Sequence, residues 1–302
     1  MPDIEEEFIR DCWYVAGWSG DFTHALTPLR ILDEPIVVFR TEAGVPAALE
    51  DACPHRKLPL SKGRLTGETV ECGYHGLTFD CSGTCVRAPT QDGPPPAVTV
   101  RSYPVEDRWG ILWIWMGDAT KANPDKIFEI PNYDNPAWGR TQGGSMDIAC
   151  HYLYVVDNLL DPSHVAWVHV SSFAGAGTGN LPLDLEKLDD GIIVSRWVMD
   201  APPPPYYEPI LPFSGNCDRK QHYECRLPST AINMSVYTRA GTGGDNDNLP
   251  DDAFLNISYN FMTPVDADNT RYFWFQHRNS DPNSKEISNR MFEGAKAAFI
   301  ED

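Results

Sequence analysis

Basic residues are scarce in this chain: 24 lysines and arginines stand against 43 aspartates and glutamates, a net charge of −19. Proteins that grip nucleic acid rely on lysine and arginine to neutralise phosphates, so the balance argues against a nucleic-acid partner. Long apolar runs are missing as well. The most hydrophobic stretch, Gly110-Ile-Leu-Trp-Ile-Trp-Met-Gly117, falls far short of the roughly 20 residues of a membrane-spanning helix. The opening MPDIEEEF has neither the basic nor the apolar region of a secretory signal. A cytoplasmic protein without a membrane partner is the expectation. Eight cysteines in 302 residues make no disulfide scaffold. A dinucleotide site is lacking too, because Gly175-Ala-Gly177-Thr-Gly179 has no strand–helix context and reads as a loop. There is no internal repeat and no long low-complexity segment.

What the chain does have is material for a core and for many turns: 42% hydrophobic residues, 26 prolines and 23 glycines. It also has one stretch around which the rest is organised, ACPHRKLPLSKGRLTGETVECGYHGLTFD at 52–80. Cys53-Pro54-His55 is followed, after sixteen residues, by Cys72-Gly73-Tyr74-His75, so each arm offers one thiolate and one imidazole. Two cysteines on one iron and two histidines on the other can hold a [2Fe–2S] cluster. Neutral imidazole in place of thiolate raises the potential to roughly −150 to +300 mV, against about −400 mV for an all-cysteine plant-type cluster. A structural zinc site uses the same ligand set, but zinc fingers group cysteines with cysteines and histidines with histidines. The interleaved Cys-x-His-x16-Cys-x2-His spacing, with Arg56, Gly76 and Phe79 alongside, resembles the Rieske motif. Cys12, Cys150, Cys217 and Cys225 read as core residues, and Cys81 and Cys85 as structural or free thiols.

Short β-branched and aromatic segments between turn signals predict antiparallel strands at 13–16, 35–39 and 45–49. The two arms then fall on loops 53–60 and 72–77. A rigid Pro94-Pro-Pro96 connection and strands at 98–103 and 111–115 follow, joined by a turn at Asp107-Arg-Trp-Gly110. Polar, irregular residues at 117–124 place a boundary between domains 1–118 and 119–302. In the second domain, apolar residues at 153, 155, 156, 159 and 160 predict a helix. Asp161-Pro162 reads as a stop and restart, with the aspartate as N-cap and the proline first in the new helix. Strands are expected at 191–199, 222–225, 231–237, 254–262 and 271–278, then a helix over 284–300 with Ile287, Met291, Ala295 and Phe299 on one stripe.

His164 and His169 stand five apart in the helical region. On an unbroken helix that spacing turns them about 140° from each other, so joint metal binding requires a bend. Two histidines and one carboxylate with open positions are the ligand set of non-haem iron(II) oxygenases. Asn158-Leu-Leu-Asp161-Pro-Ser-His164-Val-Ala-Trp-Val-His169 resembles the mononuclear-iron motif of the Rieske non-haem iron oxygenases. The nearest group is that of vanillate O-demethylase and dicamba monooxygenase, and the similarity runs from Cys12-Trp13-Tyr14 to the last residue.

The resemblance implies an α+β chain: an N-terminal all-β Rieske [2Fe–2S] domain, then a helix-grip-like catalytic domain whose antiparallel sheet is flanked by helices. It implies a third iron ligand in Ala297-Ala-Phe-Ile-Glu-Asp302, assigned to Asp302 with Glu301 and Asp281 as alternatives. Family members usually continue with more helix, so the C-terminal helix is expected to be truncated or unusually short. Asp161 would bridge His164 to His75 of another subunit; the bland reading of Asp161 is an N-cap. Also implied are a homotrimer, a separate reductase carrying flavin and a plant-type [2Fe–2S] cluster, and O2-dependent O-demethylation of a methoxylated aromatic acid with release of formaldehyde. Asn233 and Asn260 are candidate substrate contacts, Phe261 and Trp274 candidate apolar walls, and 174–180 and 241–244 candidate lids. The competing readings are a ring-hydroxylating dioxygenase forming a cis-diol and a Rieske electron carrier without mononuclear iron.

Overall fold

The computed structural model describes residues 8–302 apart from 90, 94, 96, 171, 174–180, 243 and 245–247. The Pro94–Pro96 connection, the Gly175–Gly179 loop and much of the two glycine-rich lids therefore lie outside the described residues. The chain divides into two compact units, one comprising residues through Glu129 with 149–151 and 263–271, the other 130–148, 152–262 and 272–302. Sequence patterning places the boundary at 118/119. The chain instead stays with the first unit for another turn because hydrogen bonds hold it there. Asp11 Oδ1 accepts from the Asp118 amide (2.7 Å), Trp13 Nε1 donates to the Asn123 carbonyl (2.9 Å) and Arg108 to the Pro124 carbonyl (3.1 Å).

The first unit holds β1 (Cys12–Trp18), β2 (Thr27–Ile31), β3 (Glu34–Arg40), β4 (Pro46–Glu50), β5 (Arg64–Thr66), β6 (Thr69–Glu71), β7 (Thr78–Phe79), β8 (Cys85–Arg87), β9 (Ser102–Tyr103), β10 (Val105–Arg108) and β11 (Ile111–Met116). They form three sheets, ordered β1-β11-β10, β2-β3-β4-β9 and β5-β6-β7-β8. β11 is buried along its whole length, which is why ILWIWM is apolar without alternation. Two expectations need correction. Asp107 and Arg108 are strand residues paired with Leu112 and Ile111, so the turn shrinks to Trp109-Gly110, both at positive φ as a two-residue hairpin turn requires. Of the 98–103 run only Ser102–Tyr103 forms a strand, on β4, while Thr99 bridges to Thr84.

The second unit holds β12 (Gly139–Arg140), β13 (Gly144–Ile148), α1 (Tyr152–Leu160), α2 (Val165–Val168), β14 (Asp184–Leu188), β15 (Gly191–Ala201), β16 (Cys217–Arg226), β17 (Thr230–Arg239), β18 (Phe254–Asp266), β19 (Asn269–Arg278) and α3 (Lys285–Glu301), except that 263–266 of β18 and 269–271 of β19 belong to the first unit. Its sheet runs β12-β19-β18-β17-β16-β15-β14, with β13 also on β19. β12, β13 and β14 escape the sequence pattern; β14, DLEKL, is almost entirely exposed and lacks the alternation of a half-buried strand. The restart after α1 also differs: Pro162 is not helical, and α2 begins only at Val165.

α3 is set by its N-terminal end. Ser284 Oγ accepts from the Ile287 amide, and the buried Arg278 guanidinium donates to the Asp281 and Ser284 carbonyls and to Ser288 Oγ. From there the helix lies on the sheet through Trp274, which stacks on Phe292 (5.8 Å) and meets Phe299 edge-on (5.2 Å). Gly294 is required by that packing, since a Cβ there would sit 2.6 Å from Cε2 of Tyr206. The helix thereby delivers Glu301 and Asp302 to the neighbourhood of α1 and α2, where Asn158 Nδ2 donates to Asp302 Oδ1 (3.3 Å).

Candidate metal centres

The arms of the first unit are built alike. Cys53 N donates to the Leu58 carbonyl and Lys57 N to the Cys53 carbonyl; Cys72 N donates to the Leu77 carbonyl and Gly76 N to the Cys72 carbonyl. The fourth residue after each cysteine, Lys57 or Gly76, takes positive φ to close the turn. Gly63 lets the arms approach, because a Cβ there would lie 2.1 Å from the Glu71 carbonyl oxygen. The result is polarised. Cys53 and Cys72 are 2% and 3% exposed, inside a core with Leu60, Val70, Phe79 and Cys85. His55 and His75 are exposed, with ring centroids 4.7 Å apart. The four residues line one recess. Burial holds the Cys53 thiol above its ordinary range, and its neighbour Cys72 adds to that. Two thiols on the inner side and two imidazoles on the outer side fit a cluster with cysteine on one iron and histidine on the other.

In the second unit His164 and His169 bracket α2. The single turn is closed by Val168 N donating to the His164 carbonyl, and the chain leaves helical geometry at His169 (φ −101°, ψ 40°). That break brings the two rings to 5.3 Å, whereas an unbroken helix would splay them. Both Nε2 atoms face one carboxylate oxygen: Asp302 Oδ1 lies 3.2 Å from His169 Nε2 and 3.7 Å from His164 Nε2. The three ligand atoms fall within 4.8 Å of one another, a set that fits a facially bound divalent iron.

Each ring's other nitrogen meets a second carboxylate. Glu301 Oε2 is 2.8 Å from His169 Nδ1, and Asp161 Oδ2 is 3.6 Å from His164 Nδ1. Of the alternatives for the third ligand, Glu301 thus occupies the outer side of His169. Asp281 precedes the 17-residue α3, about 25 Å of helix from Asp302. The Asp302 hydrogen bond, with Glu301 behind it, raises the pKa of His169 despite burial. Burial would raise Asp302, but the His169 contact prevails and its pKa is lowered. Asp161 is likewise lowered against burial by hydrogen bonds from Ser163 and the His164 amide.

The triad opens onto a cavity of about 840 Å³, its mouth included, over the helix-covered face of the sheet. Strand register decides what lines it. Tyr223, Asn233 and Ser258 form one cross-strand row, and Gln221, Ser235 and Asn256 the next; Arg219 and Tyr237 belong to a third. Asn233 is on the wall, donating to the Leu159 carbonyl at the end of α1.

Asn260 must be corrected. It is 0% exposed and absent from the wall, its Nδ2 donating to the Ala231 and Ser258 carbonyls and Asn233 Oδ1, its Oδ1 accepting from the Tyr272 hydroxyl. Phe261 and Trp274 do not line the cavity either. Phe261 alternates to the other face, and Trp274 lies beneath Phe292 and Phe299 of α3. Sequence reasoning missed Arg219, Gln221, Tyr207 and Tyr223. The alternation of β16 carried a signal for the first two, since a polar side chain on a covered face calls for a reason.

A histidine-and-cysteine cluster recess and a two-histidine, one-carboxylate site beside a cavity define an oxygen-using iron enzyme. Comparisons with known proteins agree. Residues 12–104 match the Rieske [2Fe-2S] domain and residues 148–302 the vanillate O-demethylase oxygenase C-terminal domain. The iron–sulfur subunit of the toluene-4-sulfonate monooxygenase system of Comamonas testosteroni is 35% identical, covering 98% of this chain and 86% of that one. The vanillate O-demethylase oxygenase subunit of Pseudomonas sp. (strain HR199 / DSM 7063) is 33% identical, covering 98% and 84%. The crystal structure of dicamba monooxygenase bound to 3,6-dichlorosalicylic acid superposes with a TM-score of 0.89 at 29% identity over 97% of this chain and 85% of that chain. A second structure of that enzyme, with non-heme iron and dicamba, gives 0.78 at 27% identity over 98% and 88%. The chain belongs to the Rieske non-haem iron oxygenases, as an oxygenase component of the vanillate O-demethylase group. Its cofactors are a Rieske [2Fe–2S] cluster and a mononuclear iron. These relatives are named as oxygenase subunits or oxygenase components. Among the described residues no helix is long and apolar enough to cross a membrane.

Proposed function

We propose that this chain is the terminal oxygenase that O-demethylates a methoxylated aromatic acid. The observation that carries the reading is the convergence of His164 Nε2, His169 Nε2 and Asp302 Oδ1 at one end of a cavity walled by Leu159, Phe173, Tyr207 and Phe299. Cys53, His55, Cys72 and His75 would hold the cluster, and His164, His169 and Asp302 the lone iron. When bound, these groups supply single electrons and activate dioxygen for insertion into a C–H bond. The chain's own residues do the rest. Glu301 accepts from His169 Nδ1–H, which fixes the tautomer and leaves Nε2 bare for the metal. Asn158 donates to Asp302 Oδ1 and holds that carboxylate toward the imidazoles. The aromatic wall excludes water and cradles a ring, and Asn233 offers an amide beside it. Overall, methyl ether, dioxygen, two electrons and two protons become phenol, formaldehyde and water, through a hemiacetal that collapses without further help.

Electrons reach the protein from a separate reductase, proposed to carry flavin and a plant-type cluster and to dock near the exposed His55 and His75. The working unit is proposed to be a homotrimer in which Asp161 bridges His164 to His75 of the partner subunit. What supports the bridge is that Asp161 is exposed at 44% of its side chain while facing His164 Nδ1. The test is a screen of methoxylated aromatic acids with a surrogate reductase, following O2 uptake, formaldehyde and iron per chain. Formaldehyde with a phenol, at about three irons per chain, is the expected result. A diol without formaldehyde would make the chain a ring dioxygenase, and two irons per chain would make it an electron carrier.

A further inference from the structure

Acidic residues dominate the chain as a whole, yet the segment that carries the cluster arms reverses the balance. Residues 52–89 hold five basic side chains, Arg56, Lys57, Lys62, Arg64 and Arg87, against three acidic ones, Glu68, Glu71 and Asp80. The remainder holds 19 against 40. All five cations are exposed. Strand direction sorts the charges within the segment. Arg64, Glu71, Thr78 and Arg87 form one cross-strand row, the last before the second arm leaves β6 and returns as β7. One carboxylate there serves two guanidiniums, Arg87 at 3.2 Å and Arg64 at 3.6 Å, so the row stays positive. Glu68 lies at the opposite end, in the turn closed by the Thr66–Thr69 pair. Asp80 is at that end as well, its Oδ1 accepting from the Ser82 and Thr84 amides in the β7–β8 turn.

The arms add cations of their own. Arg56 lies over the Tyr74 ring (6.0 Å), and that ring stands 4.1 Å from the His75 imidazole. Lys62 belongs to the same end, since a Cβ on Gly73 of the second arm would lie 2.9 Å from its carbonyl oxygen. Of the acids just upstream, Glu50 pairs with Lys57 (3.4 Å), and Asp51 turns inward to accept from Ser61 N and Oγ. The outer edge of the recess is thus two exposed imidazoles and an exposed tyrosine inside a basic border. Such a border selects the sign of what approaches. A plant-type centre has four thiolates and two sulfides around two ferric ions, which leaves a dianion, and the electron it delivers adds to that charge. With two neutral imidazoles in place of two thiolates, the cluster that fits the ligands here is neutral when oxidised.

We propose that Arg56, Lys62, Arg64 and Arg87 form a docking border for the acidic face of a plant-type [2Fe–2S] electron donor, with Tyr74 as its aromatic anchor. The cations draw the donor's carboxylates to the histidine edge, and Tyr74 supplies apolar contact that salt does not screen. The acidic remainder of the chain repels the same donor, so its approach is confined to the arm end. This rests on the reading of the chain as an oxygenase fed by a separate reductase, and it gives that contact its sign and its residues.

Binding is measured by calorimetry on the iron-replete full chain, with both proteins oxidised so that no electron passes. The probes are an acidic plant-type [2Fe–2S] ferredoxin and the same ferredoxin with its surface carboxylates amidated. Wild type is expected to bind the acidic probe, to lose roughly tenfold or more between about 20 and about 300 mM NaCl, and to bind the amidated probe far more weakly. Lys62→Glu/Arg64→Glu loses roughly tenfold to a hundredfold at low salt, and its difference from wild type narrows at high salt. Arg30→Glu/Lys126→Glu makes the same change of net charge outside the arms and β5–β8, and stays within about threefold of wild type. The visible spectrum of the cluster reports folding. If the reversal does not fold, Lys62→Gln/Arg64→Gln takes its place, with a smaller loss in the same direction. Absent or salt-independent binding, or equal losses in the two double variants, overturns the proposal. So does sedimentation in which the Lys62/Arg64 variant loses its oligomeric state while the control keeps it, because the border would then face another copy of this chain. Neither substrate nor oxygen enters the measurement. A failed formaldehyde screen would leave this comparison standing, and a flat comparison would leave the demethylase reading standing.

Discussion

Replacing Glu301 by leucine removes the acceptor from His169 Nδ1 while leaving the three proposed ligand atoms in place. A hydrogen bond involving a charged partner contributes roughly 1.5–3 kcal/mol. The Glu301 side chain is 38% exposed, so solvent screening trims the figure to about 1–2 kcal/mol. Expressed as metal affinity, that is roughly a five- to thirtyfold loss, at the lower end of what outer carboxylates on ligating histidines usually contribute. Glu301→Gln keeps a neutral acceptor on the same stem and should lose only a few-fold. The assay is competition of the mononuclear iron against a calibrated chelator, with the visible spectrum of the cluster as an internal control for folding. The expected order is wild type, then Gln, then Leu, with formaldehyde production following iron occupancy. If Glu301→Leu held iron as tightly as wild type, the carboxylate would be a bystander on an exposed helix end and the reasoning would be wrong.

Three further outcomes follow from the geometry. Asp161→Ala should retain both kinds of iron and yet lose most electron transfer to the mononuclear site in single-turnover kinetics; normal turnover would remove the bridge. His277 is buried among Tyr133, Trp138, Tyr259 and Phe275, and burial, aided by Arg140, depresses its pKa from 6.5 to about 4. The folded state therefore resists a proton that the unfolded chain accepts, so stability is lost as pH falls from about 6.5 toward 4, by roughly 3 kcal/mol at most. His277→Gln should flatten that acid limb in urea unfolding curves, and an unchanged limb would refute the assignment. Gly294→Ala gains about 1 kcal/mol of helix propensity but drives a Cβ to 2.6 Å from a Tyr206 ring pinned through its hydroxyl to Gln276 and Met291. Overpacking costs roughly 1–3 kcal/mol, so the variant should melt lower than wild type; a higher melting temperature would show that Tyr206 yields.

The cluster arms were legible in the chain because their information is local. Each is a turn of six residues closed by its own backbone, so the shape of each arm is local, while Gly63 and the shared core around Cys53 and Cys72 bring the two arms together. The same holds for α1 and α3, whose apolar periodicity and the Ser284 cap need no distant partner. His164 and His169 were visible as a pair, although their five-residue spacing is wrong for a straight helix; the break at His169 that reconciles them is a matter of backbone conformation. Asp302 stands 133 or more residues away from either histidine, and only the docking of α3 on Trp274, anchored by Arg278, sets which terminal carboxylate faces Nε2 and which faces Nδ1. Asn260 and Arg219 show the same limit from two sides. Strand alternation states which face a residue occupies, but a helix laid across that face decides which positions remain open. Asn260 is sealed under Tyr272 and spends its amide on the fold, whereas Arg219 looks into the cavity. Chemistry that depends on neighbours in sequence is written in the sequence, and chemistry that depends on which side chains packing leaves uncovered exists only once the sheet and its helices have met.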